Sequence, residues 1–277
     1  MGMGQFTERL LVLDQLPGAR SPRLVNVEST RALSDLVQNG WIDRVVELRE
    51  DDTRSRQACM EHFQKKLRHC RDHRGVPLLG WAVALQAASH DVVAYFDSDM
   101  LVHQEAGKSW ISEAVEVMRK DSTAMFLAPL PGPPSPLGLL DQAECPQLDD
   151  RGNYRFKSFS SRRFLVSKSR LRQLLPVPPL YASWKRRIYG ATGGPSPYLP
   201  WETCIDAALR ASPFYRVHLS SPSAWSLHSP QHSPEWIAAL PQIVAAVEKG
   251  SYPPDQAGHY DLQLDLWLRW LPSPCAS

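Results

Sequence analysis

Short apolar runs closed by turn formers alternate with stretches of helical spacing through the first half of the chain. Leu10-Leu11-Val12-Leu13 ends in Asp14 and is followed by Pro17 and Gly18, which predicts a strand and then a loop. Leu33, Leu36 and Val37 fall on one helical face with Asn39-Gly40 as its stop, and residues 42–48 predict a second strand before a charged run at 49–56. Strand, helix, strand is the unit of a parallel sheet. Between residues 54 and 73 a narrow stripe of Met60, Phe63 and Leu67 predicts a helix whose charges face solvent, and residues 71–75 predict a turn. An alanine-rich helix over 78–88 leads into Asp91-Val92-Val93-Ala94-Tyr95-Phe96-Asp97-Ser98-Asp99-Met100, a buried strand that ends in two carboxylates spaced i, i+2. A helix over 110–118 and a strand over 124–127 continue the alternation.

The second half is less regular, because most of the 24 prolines fall after residue 128. Residues 129–139 form a proline-rich surface loop. Residues 154–159 and 163–166 have β character, and 169–175 form one or two helical turns. Tyr189-Gly190-Ala191-Thr192-Gly193-Gly194-Pro195 suits either a lid over a ligand or an ordinary mobile loop. Pro200-Trp201-Glu202 opens a helix with Ile205, Ala208 and Leu209 inward, and 214–219 is a last strand before Ser226-Leu227-His228-Ser229-Pro230. Ser233-Pro234-Glu235 is a capped helix start, with a stop at Gly250. A terminal amphipathic helix over 260–271 packs Leu262, Leu266, Trp267 and Trp270 on the body. The pattern predicts an α/β domain over 1–232 and a helical extension over 233–277.

Composition narrows the function more by exclusion than by suggestion. With 277 residues, 43% hydrophobic and 22% charged, the chain can bury a full core. A formal charge of +2, with scattered basic residues, gives no field that implies nucleic acid. The five cysteines lack a C-x-x-C spacing and read as free thiols. Residues 1–9 have no signal-peptide core and no apolar run reaches membrane-spanning length, so the expectation is a cytoplasmic protein without a transmembrane segment.

The chemistry concentrates at Asp97 and Asp99. In open α/β sheets ligands bind outside the carboxyl ends of strands, and two adjacent oxygen donors suit a hard cation that shares its other positions with phosphate. Asp-x-Asp also occurs in turns and helix caps, and the two readings stay open on these residues alone. Glu202, in a first helical turn, reads either as a general base or as a carboxylate favoured by the helix dipole.

In their order along the chain, "VVAYFDSDM", "SSRRFLVSKSRL", "PWETCIDAAL" and "SAWSLHSP" resemble the GT-A glycosyltransferases, particularly bacterial members like family 2, over about residues 10–230. The resemblance implies a GT-A fold, with a Rossmann-like, mostly parallel central sheet flanked by helices and a helical C-terminal tail. It implies transfer of a sugar from a nucleotide-diphosphate donor to the hydroxyl of a small molecule or glycan, with inversion. Mn²⁺ or Mg²⁺ would bridge the donor diphosphate. Asp99 would be its direct ligand and Asp97 would act through ribose or metal-bound water. His228 would be a third ligand, favouring Mn²⁺, and His232 is recommended only by proximity. Asp14 would contact the nucleotide base, and Arg163, with Arg162, a phosphate or an acceptor carboxylate. The family's Glu-Asp pair is here Trp201-Glu202, so Glu202 and Asp206 both stand as the base.

The family usually opens on a strand with Pro-Thr or Thr-Pro, whereas this chain has "LLVLDQLPG": that strand has diverged, or the chain starts one strand late. The departures support an alternative, a non-catalytic domain of the same shape that binds a sugar or a partner. A phosphohydrolase of the haloacid-dehalogenase type also uses D-x-D. There it sits on the first strand and continues with Thr or Val, and here the next-but-one residue is Leu101.

Overall fold

The computed structural model describes residues 6–14, 27–49, 52–142 and 144–272; Pro17, Gly18 and Cys275 lie outside them, as do residues 50 and 51 of the charged run and 1–5 of the leader. In chain order the elements are β1 (Leu10–Asp14), α1 (Val27–Gln38), β2 (Arg44–Leu48), α2 (Thr53–Phe63), α3 (Gly80–Ala87), β3 (Val92–Phe96), β4 (Met100–Gln104), α4 (Trp110–Lys120) and β5 (Ala124–Ala128). There follow β6 (Leu130–Pro131), β7 (Gln147–Leu148), β8 (Tyr154–Phe156), β9 (Arg163–Ser167), α5 (Lys168–Leu171), α6 (Trp184–Ala191) and α7 (Trp201–Arg210). The chain ends with β10 (Tyr215–His218), β11 (Ala224–His228), α8 (Pro234–Glu248) and α9 (Leu264–Trp270). The protein is thus mixed α/β. It divides into two compact units: the chain up to Val93 with Ser167–Pro213, and Ala94–Val166 with the chain from Phe214 on.

In the first of these units β1 and β2 pair in parallel, from Leu10 opposite Arg44 to Asp14 opposite Leu48, so the predicted strand–helix–strand unit is present. Helix α3 lies against both strands and is apolar almost throughout, burying Ala82, Val83, Ala84, Leu85 and Ala87. Helix α2 stops at Phe63 rather than running to residue 73, because Gln64 turns left-handed at φ +49°. Its buried face is Ala58, Cys59, His62 and Phe63, while Met60 of the predicted stripe is exposed. Trp201 of α7 fills the centre of this unit. Its ring stacks on Trp81 at 5.7 Å, and its indole Nε1 donates to His62 Nδ1 at 3.2 Å.

The other unit carries a six-stranded sheet, β3-β9-β5-β10-β8-β7, and a three-stranded sheet, β4-β11-β6. The expected mostly parallel sheet is not what forms. β5 and β10 are parallel, but β5–β9, β10–β8 and β7–β8 are antiparallel. The cause is local. β7 and β8 are joined by a tight turn in which the Asp149 carboxylate accepts from the Arg151 and Asn153 amides and Gly152 has φ +80°, so no crossover helix intervenes. Helix α4 is capped by Ser109, whose hydroxyl accepts from Ser112 N, and it carries Glu113 first and Arg119 and Lys120 last, as the macrodipole favours. Its Trp110, Ala114, Val117 and Met118, spaced i, i+4, i+7, i+8, pack on Ala124, Leu127, Leu165 and Val217.

A second core covers the three-stranded sheet. Trp225 and Leu227 of β11 meet Trp236, Ala239, Ile243 and Val247 of α8, with Leu262 and Trp267 from the tail. Helix α8 begins where Ser233 predicts, the Ser233 hydroxyl accepting from Trp236 N. Two expectations fail here. β4 and β11 are strands where the sequence reading assigned none, and the terminal helix starts at Leu264, leaving residues 260–262 extended. Among the described residues no helix is long and apolar enough to cross a membrane, and Cys59, Cys70, Cys145 and Cys204 are free thiols.

His62 gives the first unit an acid-sensitive point. Burial lowers its pKa from 6.5 to about 4, and its Nδ1 must stay unprotonated to accept from Trp201. The unfolded chain therefore binds more protons between pH 6.5 and about 4, and stability present above that window is lost as pH falls through it. In urea unfolding across pH 7 to 4, wild type should lose about 3 kcal/mol more than His62→Gln, whose amide oxygen keeps the indole acceptor without titrating.

Candidate metal centre

The two acids occupy the turn that leaves β3 and enters β4. Asp97 N donates to Arg162 O at 2.7 Å, and Met100 N closes the turn on Asp97 O at 3.2 Å. The Asp97 side chain is held from behind: Tyr95 Oη donates to its Oδ1 at 2.8 Å, and the Tyr95 ring stacks on Phe164 at 5.2 Å. Asp99 differs. Its Oδ1 is buried with no hydrogen-bond partner, a state that costs about 1–3 kcal/mol or more for a charged group.

Two imidazoles converge on the other oxygen of Asp99. His228 Nε2 lies 3.5 Å and His232 Nε2 3.6 Å from Asp99 Oδ2. These separations exceed a hydrogen bond and match those of neighbouring ligands around a cation with bonds of about 2.1 Å. His228 is placed by sheet register, opposite Met100 in the antiparallel β4–β11 ladder, and is almost completely buried. His232 stands beyond β11 with its ring edge-on to Trp236 at 5.4 Å. Among the described residues no group of three or more His, Cys, Asp or Glu side chains is placed to hold a metal ion. What Asp99, His228 and His232 bring together is one buried carboxylate oxygen without a partner and two imidazole nitrogens near its other oxygen.

No protein-family model, curated protein or solved structure matches the chain.

The far side of His228 is organised by the tail. His228 N donates to Tyr260 O at 3.2 Å and Leu262 N donates to His228 O at 2.8 Å, so the segment 260–262 lies along β11. Tyr260 stacks on the His228 ring, their planes 17° apart. Asp261 Oδ1 lies 2.9 Å from His228 Nδ1 and accepts from Arg162 Nη1 at 3.1 Å. A carboxylate on Nδ1 puts the imidazole proton there and leaves Nε2 with its lone pair towards Asp99, the arrangement that metal-binding histidines use. Arg162 Nη1 also touches Nδ1. Arg162 only donates, so it favours a bare Nδ1 while Asp261 favours a protonated one, and Asp261 Oδ1 also accepts from Arg162.

Arg163 is buried with its guanidinium 4.3 Å over the Tyr260 ring. Burial pushes its pKa down, against the pull of Tyr260, and its Nε and Nη2 have no hydrogen-bond partner. Those two N–H groups are a ready anion contact.

The remaining expected residues lie in the other unit. Asp14 ends β1 and accepts from Arg71 Nη2 at 2.9 Å. Glu202 sits in the first turn of α7, and Asp206, one turn on, pairs with Arg210 at 3.0 Å. The structure therefore brings Asp99 and His228 together, with Asp97 in the same turn, and adds His232, Tyr260 and Asp261. Sequence reading passed over Asp261 by taking 260–271 as helical. The alternation of Leu262 and Leu264 with Asp261, Gln263 and Asp265 was the signal for an extended start.

The shared acceptor makes a prediction about His228. In long-range ¹⁵N–¹H spectra of labelled protein, His228 should carry its proton on Nδ1. In Asp261→Ala, Arg162 becomes the only partner at Nδ1, and the resonances should move to the Nε2–H tautomer; unchanged shifts would show that Asp261 does not set the tautomer.

Proposed function

We propose that the chain is a metal-dependent glycosyltransferase of the GT-A kind, moving a sugar from a nucleotide-diphosphate donor to an acceptor hydroxyl. The observation that carries the proposal is Asp99, whose Oδ1 is buried without a partner while two imidazole nitrogens converge on its Oδ2. The order of motifs along the chain supports the same reading. Asp99, His228 and His232 would hold the cation, and two imidazoles favour Mn²⁺ over Mg²⁺. A bound cation there supplies positive charge for a leaving diphosphate.

The other residues have separable tasks. Asp97, fixed by Tyr95, holds the turn and would act through ribose or a metal-bound water. Arg163 offers its unpartnered N–H groups to a phosphate. For the acceptor proton, Glu202, in the first turn of α7, and Asp206, paired with Arg210, both stand as the base, and inversion goes with either.

Calorimetry of UDP, GDP and dTDP, with and without Mn²⁺, tests the reading. One nucleotide should bind, its affinity should fall at least tenfold without Mn²⁺, and Asp99→Ala should lose the metal dependence while melting as a folded protein. With that nucleotide known, Glu202→Gln and Asp206→Asn decide the base: one of the two should cut transfer from the matching sugar nucleotide by about 10²–10⁴-fold, and equal, small losses for both would remove the base from α7. Nucleotide binding with no turnover for any sugar would leave a binding domain. No nucleotide binding under any condition would overturn the proposal.

A further inference from the structure

The largest exposed apolar side chains of helix α6 are not buried anywhere in the fold. Every residue from 183 to 189 is exposed, and Trp184, Ile188 and Tyr189 remain 70%, 57% and 65% accessible. The helix is nonetheless held firmly at both ends. Ser183 Oγ accepts from Arg186 N at 3.1 Å at its start. At its finish Gly194 N donates to Tyr189 O at 2.8 Å, and Gly190 is buried where a Cβ would come within 2.7 Å of Pro197. The glycine-rich stretch is thus a packed helix end, and what it fixes is an exposed surface.

That surface has a definite charge. Trp184 and Ile188, spaced i, i+4, share one stripe, with Lys185 and Arg187 on either side of it. A second basic segment lies alongside: Lys65 Nζ is 3.1 Å from Tyr181 Oη, and the Arg187 guanidinium lies 4.8 Å over the same Tyr181 ring. Lys65, Lys66 and Arg68 are exposed. Residues 64–70 and 175–200 contain no Asp or Glu.

We infer that α6 and the 64–68 segment form a docking surface for an anionic lipid bilayer. Tryptophan and tyrosine with a basic flank are the composition that settles at headgroup level, with the lysine and arginine heads reaching outward from buried stems. The helix lies on the surface and does not cross it. A second copy of this chain is the poorer occupant, because two such faces would oppose cation to cation. An acidic protein would match the cations and leave the apolar stripe without a purpose.

Co-sedimentation with vesicles decides the matter. Wild type should bind vesicles containing roughly a quarter phosphatidylserine and not vesicles of phosphatidylcholine alone, with binding weakened by salt. The variant Lys185→Ser/Arg186→Ser/Arg187→Ser should bind about a hundredfold more weakly, from about fivefold per cation near an anionic surface. Trp184→Ser/Ile188→Ser should lose binding about tenfold or more at unchanged charge. Trp184→Ser/Ile188→Ser should melt as wild type. The triple variant, which also loses the Arg186 Nη1 bond to His73 O and the Arg187–Tyr181 stacking, should still melt as a folded protein. No binding to anionic vesicles, equal binding to neutral ones, or unaffected variants would each overturn the proposal. So would a lipid-free dimer that Trp184→Ser dissolves, or equally tight binding to poly-glutamate that Trp184→Ser leaves intact.

Discussion

One buried amide sets the course of the tail that backs the candidate centre. Gln256 is fully buried in the short 3₁₀ turn before the terminal helix. Its Nε2 donates to His259 O at 3.0 Å and to Asp261 O at 3.1 Å, and its Oε1 accepts from Gln263 N at 3.0 Å and Trp267 Nε1 at 2.9 Å. Both donors and the acceptor are thereby used. Bonds of this kind contribute about 1 kcal/mol each, and truncation would leave several buried groups unpaired at greater cost. The geometry follows from that. With carbonyl 261 tied down, Tyr260 and Leu262 can pair with the His228 backbone on both sides, and the Asp261 carboxylate is left facing Nδ1. Close packing supports the same placement: Gly132 runs so near His259 that a Cβ there would fall 2.5 Å from its carbonyl oxygen.

Against this background the unpaired groups stand out by contrast. Among the described residues Asp99 Oδ1 shares this state with Asp72 Oδ2, whereas other carboxylates are fully engaged. Asp91 accepts from Ser167 Oγ, Ser169 N and Ser169 Oγ, and Asp121 accepts from Thr123 and Arg155. Such arrangements are structural, each closing a strand end or a helix start. Asp99 Oδ1 and two nitrogens of Arg163 lack partners, and Asp99 and Arg163 share a neighbourhood, through His228 and Tyr260. Under the proposed function, these are the groups that a cation with a phosphate would satisfy.

The parts of the fold legible in the sequence are those that local rules decide. The β1–α1–β2 unit, the caps of α4 and α8, and β5 and β9 announce themselves by period and by capping residues. What was not legible depends on partners far along the chain. β11 is a five-residue strand because β4 and β6 lie on either side of it, and its residues Ser226-Leu227-His228 carry little β signal alone. The parallel expectation failed because it extrapolated the rhythm of the first half past Leu139, where short turns replace crossover helices. The site followed the same division. Asp97 and Asp99 were singled out by their place at a strand end and His228 by the resemblance, whereas Asp261 meets His228 through a backbone bridge that no spacing encodes.

The position of the acidic turn also argues for its use. The strand β3 belongs to the six-stranded sheet and β4 to the three-stranded sheet, so residues 97–99 are where the chain passes from one ladder to the other. A loop tip free of such ties would let two like-charged carboxylates swing apart. Here the backbone before the turn is bonded to Arg162 and the backbone after it is paired with β11. The cost of holding Asp97 and Asp99 near each other is therefore met by two independent sets of backbone hydrogen bonds. It does not have to be recovered from a ligand when one binds, and that is the sense in which a site is preorganised.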